Sequence, residues 1–271
     1  ENYSIEILIN QLIYDGTIEP MILVSPDSKN RFGGSFYTNS IVTGNWEDYI
    51  VNDVVQFIDN NYRTISNSDS RGILGFSLGG YGTVMFAMKH PEIFSAAYAM
   101  SSGFLAFEYD FGSRCPWESD LKSEFEEIAA CKNLTDFDAL TTWAQIYVAA
   151  STAIAPNPSA PPFYFDPLFN SNGEKVDSVL QRFYSYDPSR LILSDKYKEN
   201  LLQLNAIKLD CGIYDEVRGI YVGNIHFANI LDSIGIENAF EPFPGNHTNK
   251  IIERMESKIL PFFSEHLVHE K

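Results

Sequence analysis

The sequence predicts an α/β fold in which helices flank a doubly wound, mostly parallel sheet. Short apolar runs that suit buried strands alternate with segments whose apolar residues recur at helical spacing. Strands that alternate with helices of about 10–15 residues are typical of a parallel sheet. The chain has 271 residues, 45% of them hydrophobic, which is enough for a single domain of residues 1–271 with a large core.

Each element in the first half of the chain has its own signal. The predicted elements, in order, are a helix at 5–12, a strand at 21–24, a helix that begins near Trp46, a strand at 71–76, a helix at 78–89 and a strand at 94–100. Met21–Val24 is a continuous apolar run, which suits a strand buried on both faces. The helix at 78–89 ends before Pro91, because proline disfavours a helical conformation in the preceding residue.

The regular alternation is interrupted between residues 103 and 195. This stretch is rich in aromatic residues and prolines, and it is predicted to be an insertion or lid with some helices, packed over the sheet edge. The alternation resumes with a strand at 206–211, a helix at about 225–234, a strand at 238–243 and an amphipathic helix at about 250–267. The sequence therefore predicts one domain with a long insertion after its third recognisable strand.

The motif Gly75-Phe76-Ser77-Leu78-Gly79 lies between a predicted strand and a predicted helix. In this context a G-x-S-x-G pattern forms a sharp strand-to-helix turn that raises the serine hydroxyl out of the sheet. The glycines allow the strand and the helix to approach closely, and the helix N-terminus provides a positive potential. Ser77 is therefore predicted to be a catalytic nucleophile; the alternative is an ordinary tight turn.

A serine nucleophile needs a base and an acid that orients it, in the chain order serine, acid, histidine. His247 follows the last predicted strand, in a loop before the final helix, and is the predicted base. The other histidines lie in helices, in the tail or ahead of the acid region: His90, His226, His266 and His269. Asp215 lies just beyond the strand at 206–211 and is the predicted acid, with Glu216 and Asp210 as alternatives.

Composition narrows the classes of partner. The formal net charge of −17 argues against binding to nucleic acid or to anionic membrane surfaces. No apolar run reaches the length of about 20 residues that a transmembrane helix needs. Cys115, Cys131 and Cys211 form no C-x-x-C pair, so we expect no metal, redox site or cofactor. Cys115 and Cys131 could form a disulfide in a secreted protein or remain free thiols.

Several short motifs resemble the "putative esterase" group of α/β-hydrolases. They are Trp46-Glu47-Asp48-Tyr49-Ile50, Asn61-Tyr62-Arg63, Gly75-Phe76-Ser77-Leu78-Gly79-Gly80, Asp210-Cys211-Gly212 with Asp215, and Pro244-Gly245-Asn246-His247-Thr248. The group includes feruloyl and acetyl-xylan esterases of carbohydrate esterase family one, S-formylglutathione hydrolases, siderophore esterases and mycolyltransferases. The resemblance covers most of the chain except the insertion, and it identifies the family better than the substrate.

The resemblance implies an α/β-hydrolase fold and ester hydrolysis without a cofactor, by the nucleophile, acid and base named above. It also implies that the backbone N–H of Leu78 is one oxyanion donor. Phe36 and Tyr37 match a loop that borders the active site in relatives, so they are expected to contact the substrate.

One segment departs from the family pattern. Relatives carry a strand that ends in a His-Gly or Asp-Gly turn ahead of the first helix, and this turn supplies the second oxyanion N–H. That strand would lie between the strands at Met21 and Ile73, and residues 1–271 do not contain it. We therefore expect that the sequence is a truncated portion or that the segment is supplied in another way. No signal-peptide pattern follows Glu1, and a secreted location is favoured over a cytoplasmic one.

The aromatic insertion bears on the substrate. Trp117 and Trp143, together with the aromatic residues at 163–165, could line a pocket for an apolar or aromatic acyl group, or could form a satellite core. The leading hypothesis is a carboxylesterase that resembles feruloyl esterases and acts on a small-molecule or carbohydrate-linked ester. The alternatives are a thioesterase similar to S-formylglutathione hydrolase and a non-catalytic binding member of the fold.

Overall fold

The computed structural model describes residues 4–236 and 239–269. The α-helices, in chain order, are α1 (Ile5–Tyr14), α2 (Trp46–Asp48), α3 (Val55–Asn61), α4 (Leu78–Lys89), α5 (Phe107–Asp110), α6 (Glu118–Ala130), α7 (Thr142–Ile154), α8 (Asp177–Tyr184), α9 (Pro188–Leu191), α10 (Asp195–Leu201), α11 (Ile220–Ser233), α12 (Ile251–Arg254) and α13 (Leu260–His266). The strands are β1 (Asn39–Ser40), β2 (Gly44–Asn45), β3 (Gly72–Phe76), β4 (Ala96–Met100), β5 (Ala206–Gly212) and β6 (Phe240–Phe243).

The described residues divide into two compact units. The first comprises those of Glu1–Ser25, Asn61–Leu105 and Ile192–Lys271, and the second comprises Pro26–Asn60 and Ala106–Leu191. The second unit thus joins most of the predicted insertion to residues 26–60, which sequence reasoning assigned to the sheet-bearing part of the chain. The boundaries 103–195 of the insertion stay a prediction.

The first unit is built on a four-stranded parallel sheet with the order β3-β4-β5-β6. The register pairs Gly72 with Ala96, Ala96 with Ala206, and Leu209 with Phe240. β4 is buried along its whole length, as expected of a strand covered on both faces. The parallel sheet and its flanking helices confirm the predicted α/β class.

One core of this unit lies between the sheet and the helices at the two ends of the chain. Its buried apolar residues come from α1 and the loop after it, from β4, and from the segment from α12 to α13: Leu8, Ile9, Leu12, Ile18, Ala96, Tyr98, Met100, Met255, Ile259, Leu260 and Phe263. The predicted helix at 250–267 is present from Ile251 to His266, with a π-helical stretch at Met255–Ile259. Of the strand predicted at 238–243, Asn238 lies outside the described residues, and β6 begins at Phe240.

The strand predicted at Met21–Val24 is wrong. These residues are irregular, and the side chains of Ile22, Leu23 and Val24 are 50%, 41% and 39% exposed. A strand needs a neighbouring strand to satisfy its backbone groups. Among the described residues, β3 at one edge of the sheet pairs only with β4, so residues 21–24 have no pairing with the sheet. An apolar run alone was therefore insufficient to form a strand here.

The second unit is mainly helical and has an aromatic interior. It contains a short antiparallel pair of strands, β1–β2, in which Asn39 pairs with Asn45, and two isolated antiparallel bridges, Pro156–Phe165 and Phe169–Lys175. The predicted helix near Trp46 begins as α2 and continues through a π-helical stretch at Tyr49–Val54 into α3. Phe111 is fully buried and contacts the rings of Phe107, Tyr147 and Phe183. Aromatic packing therefore provides much of the core of this unit.

The structure also shows the state of the cysteines and whether a helix could span a membrane. Cys115, Cys131 and Cys211 are all free thiols, so the disulfide considered for the first two is not formed. Over the residues that the structure describes, no helix is both long enough and apolar enough to cross a membrane.

Candidate active site

The sharp turn between β3 and α4 places Ser77 in an unusual conformation. Its φ of 56° and ψ of −118° lie where non-glycine residues are rarely found, at a cost of about 1–3 kcal/mol. The Ser77 N–H donates to the carbonyl of Met100 at 2.9 Å, and its carbonyl accepts from Gly103 at 3.0 Å. These bonds to the end of β4 hold the serine in a conformation that the chain would not adopt alone.

The glycine at position 75 is required by the closeness of the strand and the helix. A Cβ atom at Gly75 would lie 2.0 Å from the carbonyl oxygen of Gly79. No side chain fits there, so the first glycine of the motif sets how tightly the turn closes. Leu78 is the first residue of α4, and its N–H is among the amides at a helix start that have no acceptor within the helix. These amides, together with the helix dipole, favour negative charge at this end of α4.

The carboxylate of Asp215 is hydrogen-bonded to the imidazole of His247. Asp215 Oδ2 lies 2.8 Å from His247 Nδ1, and the two side chains are 0% and 11% exposed respectively. The other carboxylate oxygen of Asp215 accepts from the Val217 N–H at 3.0 Å. A neutral imidazole that donates from Nδ1 to a carboxylate keeps the lone pair of Nε2 available for a proton.

The loop that carries His247 is fastened to the end of β5. Ile213 N–H donates to the Phe243 carbonyl at 2.9 Å, and Tyr214 N–H donates to the Gly245 carbonyl at 3.0 Å. A Cβ atom at Gly212 would lie 2.3 Å from the Gly245 oxygen, so only glycine permits this approach. The acid and the base therefore lie on two loops that are joined by backbone hydrogen bonds.

The imidazole also packs against the residue that precedes the serine. The ring centroids of Phe76 and His247 are 4.6 Å apart, with an interplanar angle of 37°. Since Phe76 is the last residue of β3, this contact brings His247 to the strand end at which Ser77 begins the turn to α4. The structure thus brings together the strand ends that carry the three side chains predicted from the sequence.

The two alternative acids have other partners. Glu216 accepts a hydrogen bond from the backbone N–H of His247 at 3.2 Å, and not from its ring. Asp210 is buried within β5 and accepts from the hydroxyl of Tyr98 at 2.9 Å and from Arg254. Of the three carboxylates considered, Asp215 is the one bonded to the His247 ring.

The other histidines also make contacts unrelated to this pair. His90 Nδ1 lies 3.0 Å from Glu92, and the ring of His266 packs on that of Phe262 at 4.7 Å. His269 Nε2 lies 3.1 Å from the Ser264 carbonyl, and His226 lies in α11. Within the described part of the chain, no cluster of three or more His, Cys, Asp or Glu residues could hold a metal ion.

The residues predicted to bind substrate lie in the second unit. Phe36 is 1% exposed, and both Phe36 and Tyr37 have a φ of 50°, a strained value for aromatic residues. Trp143, in α7, packs its ring on Tyr147 at 5.8 Å, and Trp117 immediately precedes α6. Phe163, which is 2% exposed, packs on Phe32 and Phe137. Phe163 thus belongs to a packed core; the substrate-binding roles of the four named residues stay predictions.

Sequence reasoning missed Phe76 as a contact of the His247 ring and Arg254 as the partner of Asp210. Phe76 was noted only as part of the motif, and Arg254 was not noted at all. A signal was present for Arg254, because it lies beside Met255 in an otherwise apolar stripe of the final helix. Asp210 likewise stands out as a charged residue within a buried strand. Charged residues at buried positions usually have a specific partner.

Comparisons with known proteins identify the family of the chain. A family model described as "Putative esterase" matches residues 1–153, which is more than half of the chain. The chain belongs to this esterase family. Among curated relatives, Esterase Rv1288 of Mycobacterium tuberculosis (strain ATCC 25618 / H37Rv) is 31% identical over 103 residues, which cover 36% of this chain and 22% of the relative. The endo-1,4-beta-xylanase/feruloyl esterase of Xylanibacter ruminicola is 26% identical over 100 residues, which cover 36% of this chain and 13% of the relative.

The match spans only about a fifth of the first of these relatives. Among solved structures, a ferulic acid esterase superposes on this chain with a TM-score of 0.61 and 18% identity, over 97% of this chain and 77% of that chain. FphF, a fluorophosphonate-binding serine hydrolase of Staphylococcus aureus, has a TM-score of 0.53 and 19% identity, over 85% of this chain and 68% of that chain. At these identities, the structural likeness establishes the α/β-hydrolase fold.

Proposed function

We propose that the chain is a serine esterase that hydrolyses carboxylic esters, with Ser77 as nucleophile, His247 as base and Asp215 as the acid that orients the base. The observation that carries this proposal is the partly buried hydrogen bond of 2.8 Å between Asp215 and the His247 ring, which packs on Phe76, the residue before Ser77. Membership of the esterase family supports the reaction class.

The reaction proceeds by two acyl transfers. Ser77 Oγ attacks the ester carbonyl while His247 Nε2 takes the hydroxyl proton, and Asp215 stabilises the imidazolium. His247 then gives that proton to the leaving alcohol as the carbon–oxygen bond breaks, which leaves an acyl group on Ser77. A water molecule, deprotonated by His247, attacks the acyl carbonyl and releases a carboxylic acid and the free serine. The Leu78 N–H stabilises the oxyanion of each tetrahedral intermediate, an interaction worth about 3 kcal/mol.

For the substrate, we propose an ester with an aromatic acyl group, as in feruloyl esters. A curated relative bears feruloyl esterase in its name, and the second unit is rich in aromatic side chains. Phe36, Tyr37, Trp117 and Trp143 are the proposed contacts for that acyl group. A thioester of a small acyl group is the second candidate within the same mechanism.

The test measures hydrolysis of a short p-nitrophenyl ester, of methyl ferulate and of a short-chain thioester. We expect hydrolysis of the first two, and Ser77→Ala should reduce kcat by roughly 10³-fold or more, because no other group can form the acyl-enzyme. Ser119→Ala, at an exposed serine of α6, is the matched control and should keep the wild-type rate.

Three results would contradict the proposal or part of it. Wild-type activity that survives in Ser77→Ala would exclude this nucleophile. Hydrolysis of the thioester with none of methyl ferulate would replace the aromatic-acyl substrate with the second candidate. A folded wild-type protein that neither hydrolyses these esters nor reacts with a fluorophosphonate probe would favour the non-catalytic alternative.

A further inference from the structure

The guanidinium of Arg254 contacts three neighbouring strands of the sheet. Its Nε donates to the Asp210 carboxylate of β5, and one terminal nitrogen lies 3.2 Å from the Tyr98 hydroxyl of β4. The same nitrogen lies 3.3 Å from the Glu241 carboxylate of β6. Arg254 is 5% exposed and Asp210 is 0% exposed, so this is a buried ion pair with a buried hydroxyl beside it.

A buried ion pair of this kind is a poor source of stability. The cost of removing both charges from water is large, and well-packed apolar side chains of similar volume often stabilise a protein as well or better. Here one oxygen of Asp210, Oδ1, has no hydrogen-bond partner among the described residues. The pair instead fixes the relative geometry of the groups around it, because the planar guanidinium sets angles as well as distances to its partners.

The position of Arg254 in the chain indicates that the His247 loop is the part whose geometry is fixed. Arg254 ends α12, the first helical segment after the His247 loop, and its guanidinium lies 4.4 Å over the ring of Phe243, the residue just before that loop. Its partner Asp210 lies in β5, whose end leads into the loop of Asp215. The Arg254 side chain therefore connects the residues on both sides of the His247 loop to β5, the strand that precedes Asp215.

We propose that Arg254 and Asp210 are positioning residues that hold the His247 loop in register with Asp215. Neither residue touches the imidazole; they act through the ends of the loop that carries it. The inference rests on the proposed esterase function, in which a displacement of the base by about 1 Å reduces the rate by roughly 10²-fold.

The test compares Arg254→Lys with Lys258→Met. Arg254→Lys keeps the charge but loses the planar fork. Lys258→Met removes a cation that lies 3.2 Å from the same Glu241 and leaves Arg254 in place. For each variant one measures the melting curve, kcat and KM for a p-nitrophenyl ester, the rate of Ser77 labelling by a fluorophosphonate, and the NMR resonance of the His247 Nδ1 proton.

For folded Arg254→Lys we expect kcat and the labelling rate to fall together by about 10–100-fold, with KM within about twofold of wild type. The Nδ1 proton resonance should shift, which a purely structural role of Arg254 would not cause. Lys258→Met should match wild type in all four measurements. A folded Arg254→Lys with wild-type kcat and an unshifted resonance would overturn the inference.

A double variant covers the case in which Arg254→Lys does not fold. Asp210→Leu combined with Arg254→Met removes both charges and leaves no buried charge unpaired, so it should fold. We expect the same loss of kcat at unchanged KM; full activity in this variant would also overturn the inference. If the wild type neither turns over nor labels, the proposed function fails, and the Nδ1 resonance of the folded variants still decides whether the pair positions His247.

Discussion

The two units of this chain use their side chains in different ways. In the first, short parallel strands end in loops that place a serine, a carboxylate and an imidazole at one edge of a sheet. In the second, the aromatic side chains mostly contact one another: Phe111 lies against three rings, and Phe125 stacks on Tyr147 at 5.7 Å. The difference teaches that polar groups at strand ends indicate chemistry, whereas an abundance of aromatic residues first indicates a core.

From this contrast we expect substitutions in the two units to have different effects. Changes at the strand ends of the first unit should reduce the rate and leave stability nearly unchanged. Changes in the aromatic interior of the second unit should reduce stability, with any loss of activity following from unfolding.

The largest effect is expected for Asp215→Asn. The amide oxygen of this variant should keep the hydrogen bond from the Val217 N–H, which turns the NH2 group toward His247. The NH2 group then donates to Nδ1 and favours the wrong imidazole tautomer, so kcat should fall about 10⁴-fold. Esterase kinetics would measure the loss of kcat, and a urea unfolding curve would test whether the stability stays nearly unchanged.

Glu216→Gln is the matched control for the acid, because Glu216 binds the His247 backbone and not the ring. It should cause a far smaller loss of kcat than Asp215→Asn. An equal loss of kcat in the two variants would show that the role of the acid is wrongly assigned to Asp215. A large drop in the stability of Asp215→Asn would weaken the contrast between the units.

The next effect in size is expected in the second unit, for Phe111→Ala. Removal of this fully buried ring leaves a cavity among three aromatic neighbours and should lower the free energy of unfolding by about 3–5 kcal/mol. Urea denaturation measures this change, and kcat per folded molecule should stay close to wild type.

Ile41→Ala is its control, since Ile41 belongs to the same unit and is 78% exposed. Its change should stay within about 0.5 kcal/mol. A Phe111→Ala protein of wild-type stability whose activity is lost would mean that the aromatic interior serves the reaction directly.

The smallest effect concerns the pH dependence of stability. Burial raises the pKa of Asp187 from its ordinary value of 3.8 to about 6. Burial also raises the pKa of Asp110, which is further raised by the charge of Asp187. Between about pH 4 and pH 6 the Asp187 carboxyl therefore binds more protons in the folded protein than in the unfolded chain, so its contribution to stability should rise as the pH falls from 7 to 5.

Asp187→Asn should flatten this rise, because the amide does not titrate and can still accept the hydrogen bond of 3.0 Å from the Ser189 N–H. Asp177→Asn, at an exposed carboxylate of α8, should keep the wild-type slope. Melting temperatures at pH 5, 6 and 7 provide the comparison. A wild-type slope in Asp187→Asn would exclude this carboxyl as the source of the rise.

Prediction from sequence succeeded where local signals and the fold agree. The helix at 78–89 and the strands at 71–76 and 206–211 were found to within about two residues, because apolar runs and a motif of glycines mark them. Met21–Val24 carries the same apolar signal but forms no strand, since pairing depends on a neighbour elsewhere in the chain. The helix that begins near Trp46 in the second unit was also found, but no local signal links residues 26–60 to the insertion, so their association in one unit could not be predicted.

By itself, the sequence determined the α/β class, the serine turn, and the order in which the candidate acid and base follow it. These depend on residue type and on spacing along the chain, which a sequence records. Only the tertiary structure decided that Phe76 packs on the His247 ring, that Glu216 binds the backbone of His247, and that Arg254 joins three strands. Such contacts arise between residues distant in sequence, and their burial and direction exist only once the sheet has brought the strand ends together.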